Sequence, residues 1–369
     1  MYIVAGANLF GQWFPCSQDT SVFEKFTNVA VEHDTNIDLK QAKLITCCWA
    51  YNIFQINDIF YVAGAWHGKD NQLVKVPVFK EYKQDFKNTN LLIAGNDYML
   101  VYVEKITRSV WFYDLELAKF KKVHIVEEPI KENTAKKLKV TDNIIKVAVT
   151  NNTFIYLSSE GNVYIGQMPT YVDTKHCIGK VCDIECGYEH YMLLTDEGRV
   201  YTWGNGRRLQ LGHGDLTNLD EPTEVEALSG IKIVKIKAGG WHSLALSEYG
   251  DLYAWGWNDT GQLGMNFNKI CEEEKAQKNY TIPTLVDVYD DNDTEIEMNI
   301  IDITAGSRHS ALLLEDNTVW TTGCNKYGQL GFCPNDFEKL DYFKKAFSSS
   351  HINGLSAGPW NTVIEIKEK

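Results

Sequence analysis

Three histidines recur at the same place in a repeated pattern, and they are the first candidates for chemistry in this sequence. His190, His242 and His309 each lie three residues after one glycine and 14 residues before another. Three imidazoles from equivalent places could converge on a metal ion, but no neighbouring carboxylate recurs that could orient them. We therefore predict no metal site and expect each imidazole to hydrogen-bond loop backbone within its own repeat.

Other residue patterns that accompany catalysis are incomplete. The recurring glycine loops lack the Lys-Ser or Lys-Thr pair and the helix start of a phosphate-binding loop, and there is no Gly-x-Ser-x-Gly motif. The cysteines, including Cys182 and Cys186, lack zinc-ligand spacing and are expected to be reduced, buried thiols. No carboxylate recurs at equivalent repeat positions to form an active site. We predict that the chain is not an enzyme and uses no cofactor and no small-molecule substrate.

Composition narrows the possible functions further. The 369 residues carry a net charge of −13, which argues against broad or sequence-specific nucleic-acid binding. No apolar run is long enough to cross a membrane, and residues 1–10 lack the basic start of a secretory signal. With 27 Gly, 8 Pro, 10 Trp and 19 Tyr, the chain is typical of many short strands joined by tight turns.

A repeat supplies those strands. Each regular copy contains two short β-rich runs with a turn between them, as in residues 244–247 followed by 252–255. The turn position is Gly198, Gly250 and then Asn317, and this replacement of Gly by Asn predicts a left-handed backbone conformation there. We assign structural roles to the glycines and histidines that recur in the three copies, namely Gly187, His190, Gly204, Gly212, Gly239, His242, Gly256, Gly264, Gly306, His309, Gly323 and Gly331.

Weaker copies and the two termini extend the pattern over the whole chain. Regular repeats occupy 181–335, and degenerate copies without the histidine occupy 45–170. Residues 1–14 and 354–369 match the two halves of one further copy, so we expect them to share a closing blade that leaves no open sheet edge. Seven copies of about 53 residues predict one all-β domain, a seven-bladed β-propeller closed by its N- and C-terminal strands. Segments 114–143 and 265–300 are interpreted as insertions.

The repeats resemble those of the regulator of chromosome condensation family. The resemblance is carried by Gly239-Gly-Trp-His, by Tyr253-Ala-Trp-Gly-Trp-Asn and by Ala357-Gly-Pro-Trp-Asn, and it is strong over 180–335 and 354–364. It implies a propeller that binds other proteins. The founding member exchanges nucleotide on the small GTPase Ran and docks on nucleosomes. A small metazoan member that this chain resembles partners a Jumonji-type oxygenase linked to histone lysine demethylation and chromosome segregation.

Six residues in the repeat loops are candidates for partner binding, because Trp and Arg are enriched at interface hot spots. Three of the chain's five arginines lie in these loops, and binding residues concentrate in loops on a rigid scaffold. Packing between blades is an equally good interpretation of Trp241 and Trp360. The six candidates are Arg207, Arg208, Trp241, Trp257, Arg308 and Trp360.

Two charged segments leave alternatives open. The acidic residues of 265–300, which begin with three glutamates at 272–274, could dock a basic partner such as a histone tail, although a solvated loop is the simpler interpretation. The lysine-rich residues 136–139 could act as a weak nuclear signal, but glutamates at 127, 128 and 132 dilute their charge.

Together these features and the resemblance predict a non-enzymatic adaptor that regulates a Jumonji-type histone lysine demethylase in chromatin. We expect it in the nucleus, with additional cytoplasmic residence as an alternative. The competing hypothesis is a guanine nucleotide exchange factor for a Ran-like GTPase. The net charge of −13 and the absence of a basic stretch before the first repeat weigh against chromatin docking of the founding member's kind.

Overall fold

The computed structural model of the chain describes residues 1–13, 20–29, 42–57, 59–77, 91–105, 107–125, 142–151, 153–265 and 279–367. Within these ranges lie 28 β-strands and one short 3-10 helix, Glu226–Leu228. The strands form seven antiparallel sheets of four strands each. Among the described residues no helix is long and apolar enough to span a membrane.

Six of the sheets, which we call blades 1 to 6, use consecutive strands that run from the innermost to the outermost. Blade 1 contains β3 (Lys43–Cys47), β4 (Tyr51–Ile56), β5 (Ile59–Trp66) and β6 (Lys69–Lys75). Blade 2 contains β7 (Leu91–Gly95), β8 (Met99–Glu104), β9 (Ser109–Asp114) and β10 (Lys119–His124). Blade 3 contains β11 (Ile144–Thr150), β12 (Thr153–Ser158), β13 (Val163–Ile165) and β14 (Thr170–Val172).

The next three blades contain the regular repeats. Blade 4 contains β15 (Val181–Cys186), β16 (His190–Thr195), β17 (Val200–Gly204) and β18 (Leu219–Glu224). Blade 5 contains β19 (Ile233–Ala238), β20 (His242–Ser247), β21 (Leu252–Trp257) and β22 (Asn279–Leu285). Blade 6 contains β23 (Ile300–Ala305), β24 (His309–Leu314), β25 (Thr318–Cys324) and β26 (Lys339–Ser348).

Blade 7 joins the two ends of the chain. From the inside outward it contains β27 (Ile352–Gly358), β28 (Asn361–Ile366), β1 (Tyr2–Ala7) and β2 (Val22–Asn28). β1 pairs with β28 along its length, from Tyr2 opposite Glu365 to Gly6 opposite Asn361. The inner strands contact one another in order around a ring that closes from β27 to β3. The prediction of a seven-bladed propeller with a shared closing blade is therefore confirmed.

The core lies between neighbouring blades, because the sheets pack face to face around the ring. The cluster between blades 4 and 5, for example, joins Met192 and Val200 of blade 4 to Ile236 and Trp255 of blade 5. The second strand of a blade is consequently largely buried, and β12, β20 and β24 are buried along their whole length. Burial on both faces explains why these strands lack the polar–apolar alternation of a half-exposed strand.

The predicted left-handed turns are present between the second and third strands of blades 4 to 6. The backbone φ angle is 78° at Gly198, 86° at Gly250 and 61° at Asn317. Asparagine is among the residues that tolerate this conformation best, so the replacement of Gly by Asn keeps the turn. This prediction is confirmed.

The predicted boundaries differ from the structure in the outer strands. Segment 114–143 contains β10, and segment 265–300 contains β22, so these parts are blade strands and not insertions. Blade 7 also takes β2, which lies beyond residue 14, and its inner strand begins at Ile352 rather than at residue 354. An outer strand exposes much of its surface, and the lysine-rich β10 therefore has the composition of a charged linker. Lysines 131, 136, 137 and 139 and glutamates 127, 128, 132 and 272–274 lie outside the described residues.

Candidate functional site: the upper face of the propeller

The alternating strand directions give the propeller two faces. Loops from the first to the second strand and from the third to the fourth strand of a blade lie at one end, which we call the upper face. The remaining loops lie at the opposite end, the lower face. All six residues predicted to bind a partner lie at the upper face, in the loops after β17, β19, β23 and β27 and at the end of β21.

Three of the six residues form one cluster. The Arg208 guanidinium carbon lies 4.4 Å from the ring centre of Trp257 and 5.1 Å from that of Trp241. Tyr188 contacts Trp241 edge to face with ring centres 5.5 Å apart. We call Tyr188, Arg208, Trp241 and Trp257 the Arg208 cluster. All four side chains are partly exposed, so this cation–π stack presents both charge and aromatic area to a partner.

The loop that carries Arg208 is held by a buried glutamine. The Oε1 atom of Gln210 accepts a hydrogen bond from the Arg208 backbone N–H at 2.8 Å. The Asn205 side chain accepts one from the Arg207 N–H, also at 2.8 Å. These bonds fix the backbone and leave the Arg207 side chain exposed, with no ion-pair partner among the described residues.

Arg308 does not join the Arg208 cluster. Its guanidinium forms an ion pair and hydrogen bond with Asp259, which follows Trp257 in the next loop along the face. Much of its charge is therefore neutralised within the chain, and Arg308 is a weaker candidate for partner binding than its position in the sequence indicated.

Trp360 belongs to a second aromatic group. Its ring centre lies 5.4 Å from that of Tyr327 and 6.1 Å from that of Trp49, and Trp49 also contacts Phe10 at 6.0 Å. We call Phe10, Trp49, Tyr327 and Trp360 the Trp49 cluster. The Lys326 ammonium lies 5.1 Å from the Tyr327 ring centre. This cluster also lies on the upper face and brings three blades together.

Sequence reasoning missed Trp49, Tyr188, Tyr327 and Phe10, although a signal for two of them was present. In each regular copy and in the N-terminal half copy, the residue two positions before the repeat glutamine donates its N–H to that glutamine's Oε1. That position therefore projects from the upper face. Its occupants are Phe10, Arg208, Thr260 and Tyr327.

Between the two clusters opens the central channel, a cavity of about 530 Å³ lined by all seven inner strands. Lys146 bonds Asp183 at 2.6 Å and Glu185 at 3.0 Å, and Lys237 bonds Glu185 at 2.5 Å. Burial disfavours the charge of Glu185, but the ammonium groups of Lys237 and Lys146 together lower its pKa to about 2.

The expectation that no carboxylate recurs at equivalent repeat positions is wrong. Asp183 and Asp302 occupy the same place in β15 of blade 4 and β23 of blade 6, and Lys146 and Lys235 hold that place in blades 3 and 5. Lys235 pairs with Asp302 as Lys146 pairs with Asp183. Each of these carboxylates is neutralised by a lysine of a neighbouring blade, so the arrangement ties the inner strands together.

The three recurring histidines join neighbouring blades, which corrects the expected bond within each repeat. The Nε2 atom of His190 lies 3.2 Å from Ser243 Oγ, and that of His242 lies 3.0 Å from Ser310 Oγ. His309 Nε2 lies 3.2 Å from the Asn361 carbonyl oxygen. All three partners belong to the next blade, because a histidine at the start of a second strand reaches across the sheet interface.

These bonds also fix the protonation of the rings. Ser243 donates its hydroxyl hydrogen to the backbone carbonyl of Gln210 at 2.9 Å, and Ser310 donates to that of Gln262 at 2.6 Å. The histidine Nε2–H must therefore be the donor to the serine oxygen. Burial lowers the pKa to about 3 for His190 and His242 and to about 4 for His309. The imidazoles are therefore neutral structural groups. The described residues contain no group of three His, Cys, Asp or Glu side chains arranged to hold a metal ion.

Comparison with known proteins identifies the repeats. A family model described as "Regulator of chromosome condensation (RCC1) repeat" matches residues 197–246 and 249–313. A second model with the same description matches 181–210, 233–262 and 300–329. The mouse protein "RCC1 domain-containing protein 1" is 35% identical over 223 residues, which cover 52% of this chain and 56% of the mouse protein. The chain thus spans about half the length of the curated relatives it matches.

Two solved structures share the whole fold. Human WBSCR16 superposes with a TM-score of 0.71 at 15% identity over the full length of both chains. Prp20p from Saccharomyces cerevisiae superposes with a TM-score of 0.73 at 17% identity, covering 100% of this chain and 92% of Prp20p. The chain is thus a closed seven-bladed β-propeller, and its residues 181–329 match models of the RCC1 repeat.

Proposed function

We propose that the propeller is a protein-interaction module without catalytic activity of its own, and that its upper face binds the partner. The observation that carries this proposal is the Arg208 cluster, in which a partly exposed guanidinium is stacked on Trp241 and Trp257 beside the exposed Arg207. Stacked Arg and Trp side chains lose little freedom on binding and bury large areas, as binding hot spots require.

The Trp49 cluster enlarges the proposed surface. Tyr188 of the first cluster and Trp49 and Trp360 of the second all line the channel opening. A partner seated over this opening would contact both clusters at once. The inner-strand carboxylates Asp183, Glu185 and Asp302 are bound to lysines, which argues against a role for these three as acid or base in a reaction.

The partner we propose is a Jumonji-type oxygenase of the histone lysine demethylase class, and we propose that the two proteins bind each other in the nucleus. The support is the resemblance of the repeats and of the C-terminal Ala357-Gly-Pro-Trp-Asn to the small family member that has such a partner. Nucleotide exchange on a small GTPase is the competing function. Prp20p has been studied for its binding to Gsp1p and histones, but at 17% identity it shares only the fold with this chain.

A capture experiment from nuclear extract tests both the face and the partner. The variant Arg207→Glu/Arg208→Glu reverses two charges at the Arg208 cluster. The matched control, Lys119→Glu/Lys121→Glu, reverses two exposed charges on the outer strand β10. We expect wild type and control to capture a Jumonji-type oxygenase, and the arginine variant to lose at least about tenfold of that binding.

Other outcomes would change the proposal. Capture of a small GTPase, strongest when nucleotide is removed, would indicate that the function is nucleotide exchange. The assignment of an oxygenase as partner would then be wrong. Equal capture by the arginine variant and wild type would show that the upper face is not the binding surface.

A further inference from the structure

The lower face carries a second surface that the proposed function does not use. Each inner strand of blades 3 to 6 contains a β-bulge at its second residue, between positions 144 and 146, 181 and 183, 233 and 235, and 300 and 302. A bulge leaves its extra residue outside the ladder and re-aims the side chain. The residues concerned are Ile145, Cys182, Val234 and Ile301.

These bulge residues are exposed although they are mostly apolar. Ile145 is 50% exposed, Val234 49% and Ile301 51%, and Cys182 between them is exposed too, which corrects the expectation that it is a buried thiol. Because successive inner strands contact one another, the four side chains form an arc around the lower opening of the channel. We call them the bulge arc. Exposed apolar residues at one repeated position in consecutive blades indicate a contact surface rather than scattered exposure.

An acidic rim surrounds the bulge arc. In each of the four blades, the loop from the second to the third strand begins with an N–H that donates to the carbonyl just before the inner strand. The donor–acceptor distances are 2.7, 2.9, 2.9 and 3.1 Å for blades 3 to 6. Each loop is thereby held close to its bulge residue. The exposed acids of these loops are Glu160, Asp196, Glu197, Glu248, Glu315 and Asp316.

The segment between β22 and β23 adds further acids to the same face. It contains exposed carboxylates at Asp287, Asp291, Asp293, Glu295 and Glu297. Three described lysines lie beside these acids and are outnumbered by them: Lys180 is exposed, Lys232 is paired with Glu248 at 3.1 Å, and Lys344 is paired with Asp291. Tyr249, 74% exposed, contributes an aromatic ring beside the arc.

We propose that the lower face binds a basic protein segment that carries an apolar anchor. The anchor would rest on the bulge arc, where covering half-exposed Ile and Val side chains is favourable. Its flanking Lys or Arg residues would face the acidic rim, which attracts cations and repels acidic peptides and anionic membranes. The proposal does not depend on the partner of the upper face, and the propeller would then join two proteins through opposite faces.

Fluorescence anisotropy with defined peptides tests this proposal. The probe is a labelled peptide of repeating Lys-Lys-Leu-Lys units. Two matched peptides replace every Leu by Ser or every Lys by Glu. We expect the Ser peptide to bind at least about tenfold more weakly, the Glu peptide not to bind, and added salt to weaken the probe.

Variants of the chain locate the binding. Glu160→Lys/Glu197→Lys changes the rim, and Val234→Ser/Ile301→Ser changes the arc. Each should weaken binding of the probe about tenfold or more. The control Glu24→Lys/Glu116→Lys reverses two exposed acids away from the lower face and should bind as wild type does. Thermal melting establishes that all variants are folded.

Three results would overturn the proposal. They are equal binding of the Leu and Ser peptides, wild-type affinity in the rim variant, and wild-type affinity in the arc variant. Arg207→Glu/Arg208→Glu should still bind the peptide, and the rim variant should still bind the upper-face partner. A wrong proposal for one face can therefore be distinguished from a wrong proposal for the other.

Discussion

At the scale of single residues, the spacing Gly-x-x-His has a steric explanation. A Cβ atom on Gly187, Gly239 or Gly306 would lie 2.0 to 2.1 Å from Cε1 of the histidine three positions later. The imidazole therefore lies directly against the glycine backbone, and the two residues must occur together. In blade 7 the histidine is replaced by Asn361, whose side chain donates to the Ala7 carbonyl oxygen at 2.7 Å.

The buried histidines make stability depend on pH. Burial lowers the pKa of His242 to about 3, whereas an unfolded histidine titrates near 6.5. Below that value the unfolded chain binds a proton that the folded chain cannot, so stability is complete above pH 6.5 and falls with acidification towards pH 3. Each such histidine should remove about 2 kcal/mol from the free energy of unfolding between pH 7 and pH 5.

Replacement of His242 by Asn tests this residue-scale prediction, since Asn361 shows that the position accepts asparagine. Chemical denaturation at pH 7 and pH 5 measures how much of the free energy of unfolding is lost on acidification. That loss should be about 2 kcal/mol smaller in His242→Asn than in wild type. His124→Asn, on the exposed strand β10, should leave the loss unchanged. An identical pH dependence in wild type and His242→Asn would contradict neutral burial of the ring.

At the scale of loops and strands, the turn between β23 and β24 depends on Gly306. A Cβ there would lie 2.1 Å from His309 Cε1 and 2.7 Å from the Gly358 carbonyl oxygen. Gly306→Ala must displace the ring that joins blade 6 to blade 7, and we expect a loss of about 3 kcal/mol in the free energy of unfolding.

The matched control is Gly354→Ala in the inner strand β27. There the nearest atom to a new Cβ is a Glu365 carboxylate oxygen at 3.7 Å, an ordinary contact. Its free energy of unfolding should stay within about 1 kcal/mol of wild type. Comparable losses in the two variants would mean that any added methyl group harms these strands, and would remove the special role of Gly306.

The strands and loops differ in how well the sequence predicts them. The second and third strands of each regular blade were predictable as a hairpin, because fixed distances between Gly and His residues repeat three times. The outer strands β10 and β22 were not, since they carry no repeat residue and have mixed charged composition. Arg208 and Trp241 were found by residue type. Their contact could not be predicted, and neither could the pairing of Arg308 with Asp259, because both depend on distances between loops of different blades.

For the whole molecule, the decisive feature is closure of the ring. β1 lies between β28 and β2, and the Met1 carbonyl accepts a hydrogen bond from the Ile366 N–H at 2.9 Å. The Gln12 carbonyl further accepts a bond from the Asn52 side chain of blade 1 at 3.0 Å. The first thirteen residues thus complete blade 7 and tie it to blade 1.

Deletion of residues 1–13 should therefore damage the entire propeller. It removes β1, separates β2 from its sheet and leaves β28 as an unpaired edge. We expect a loss of roughly several kcal/mol in stability and aggregation on warming, measured by thermal melting with light scattering. A second variant, Gly6→Val, keeps every strand but places a Cβ 2.2 Å from the Trp360 carbonyl oxygen, so it should weaken the same seam. If the deletion variant melted like the full chain and stayed monodisperse, closure through β1 and β28 would not be what holds the seven blades together.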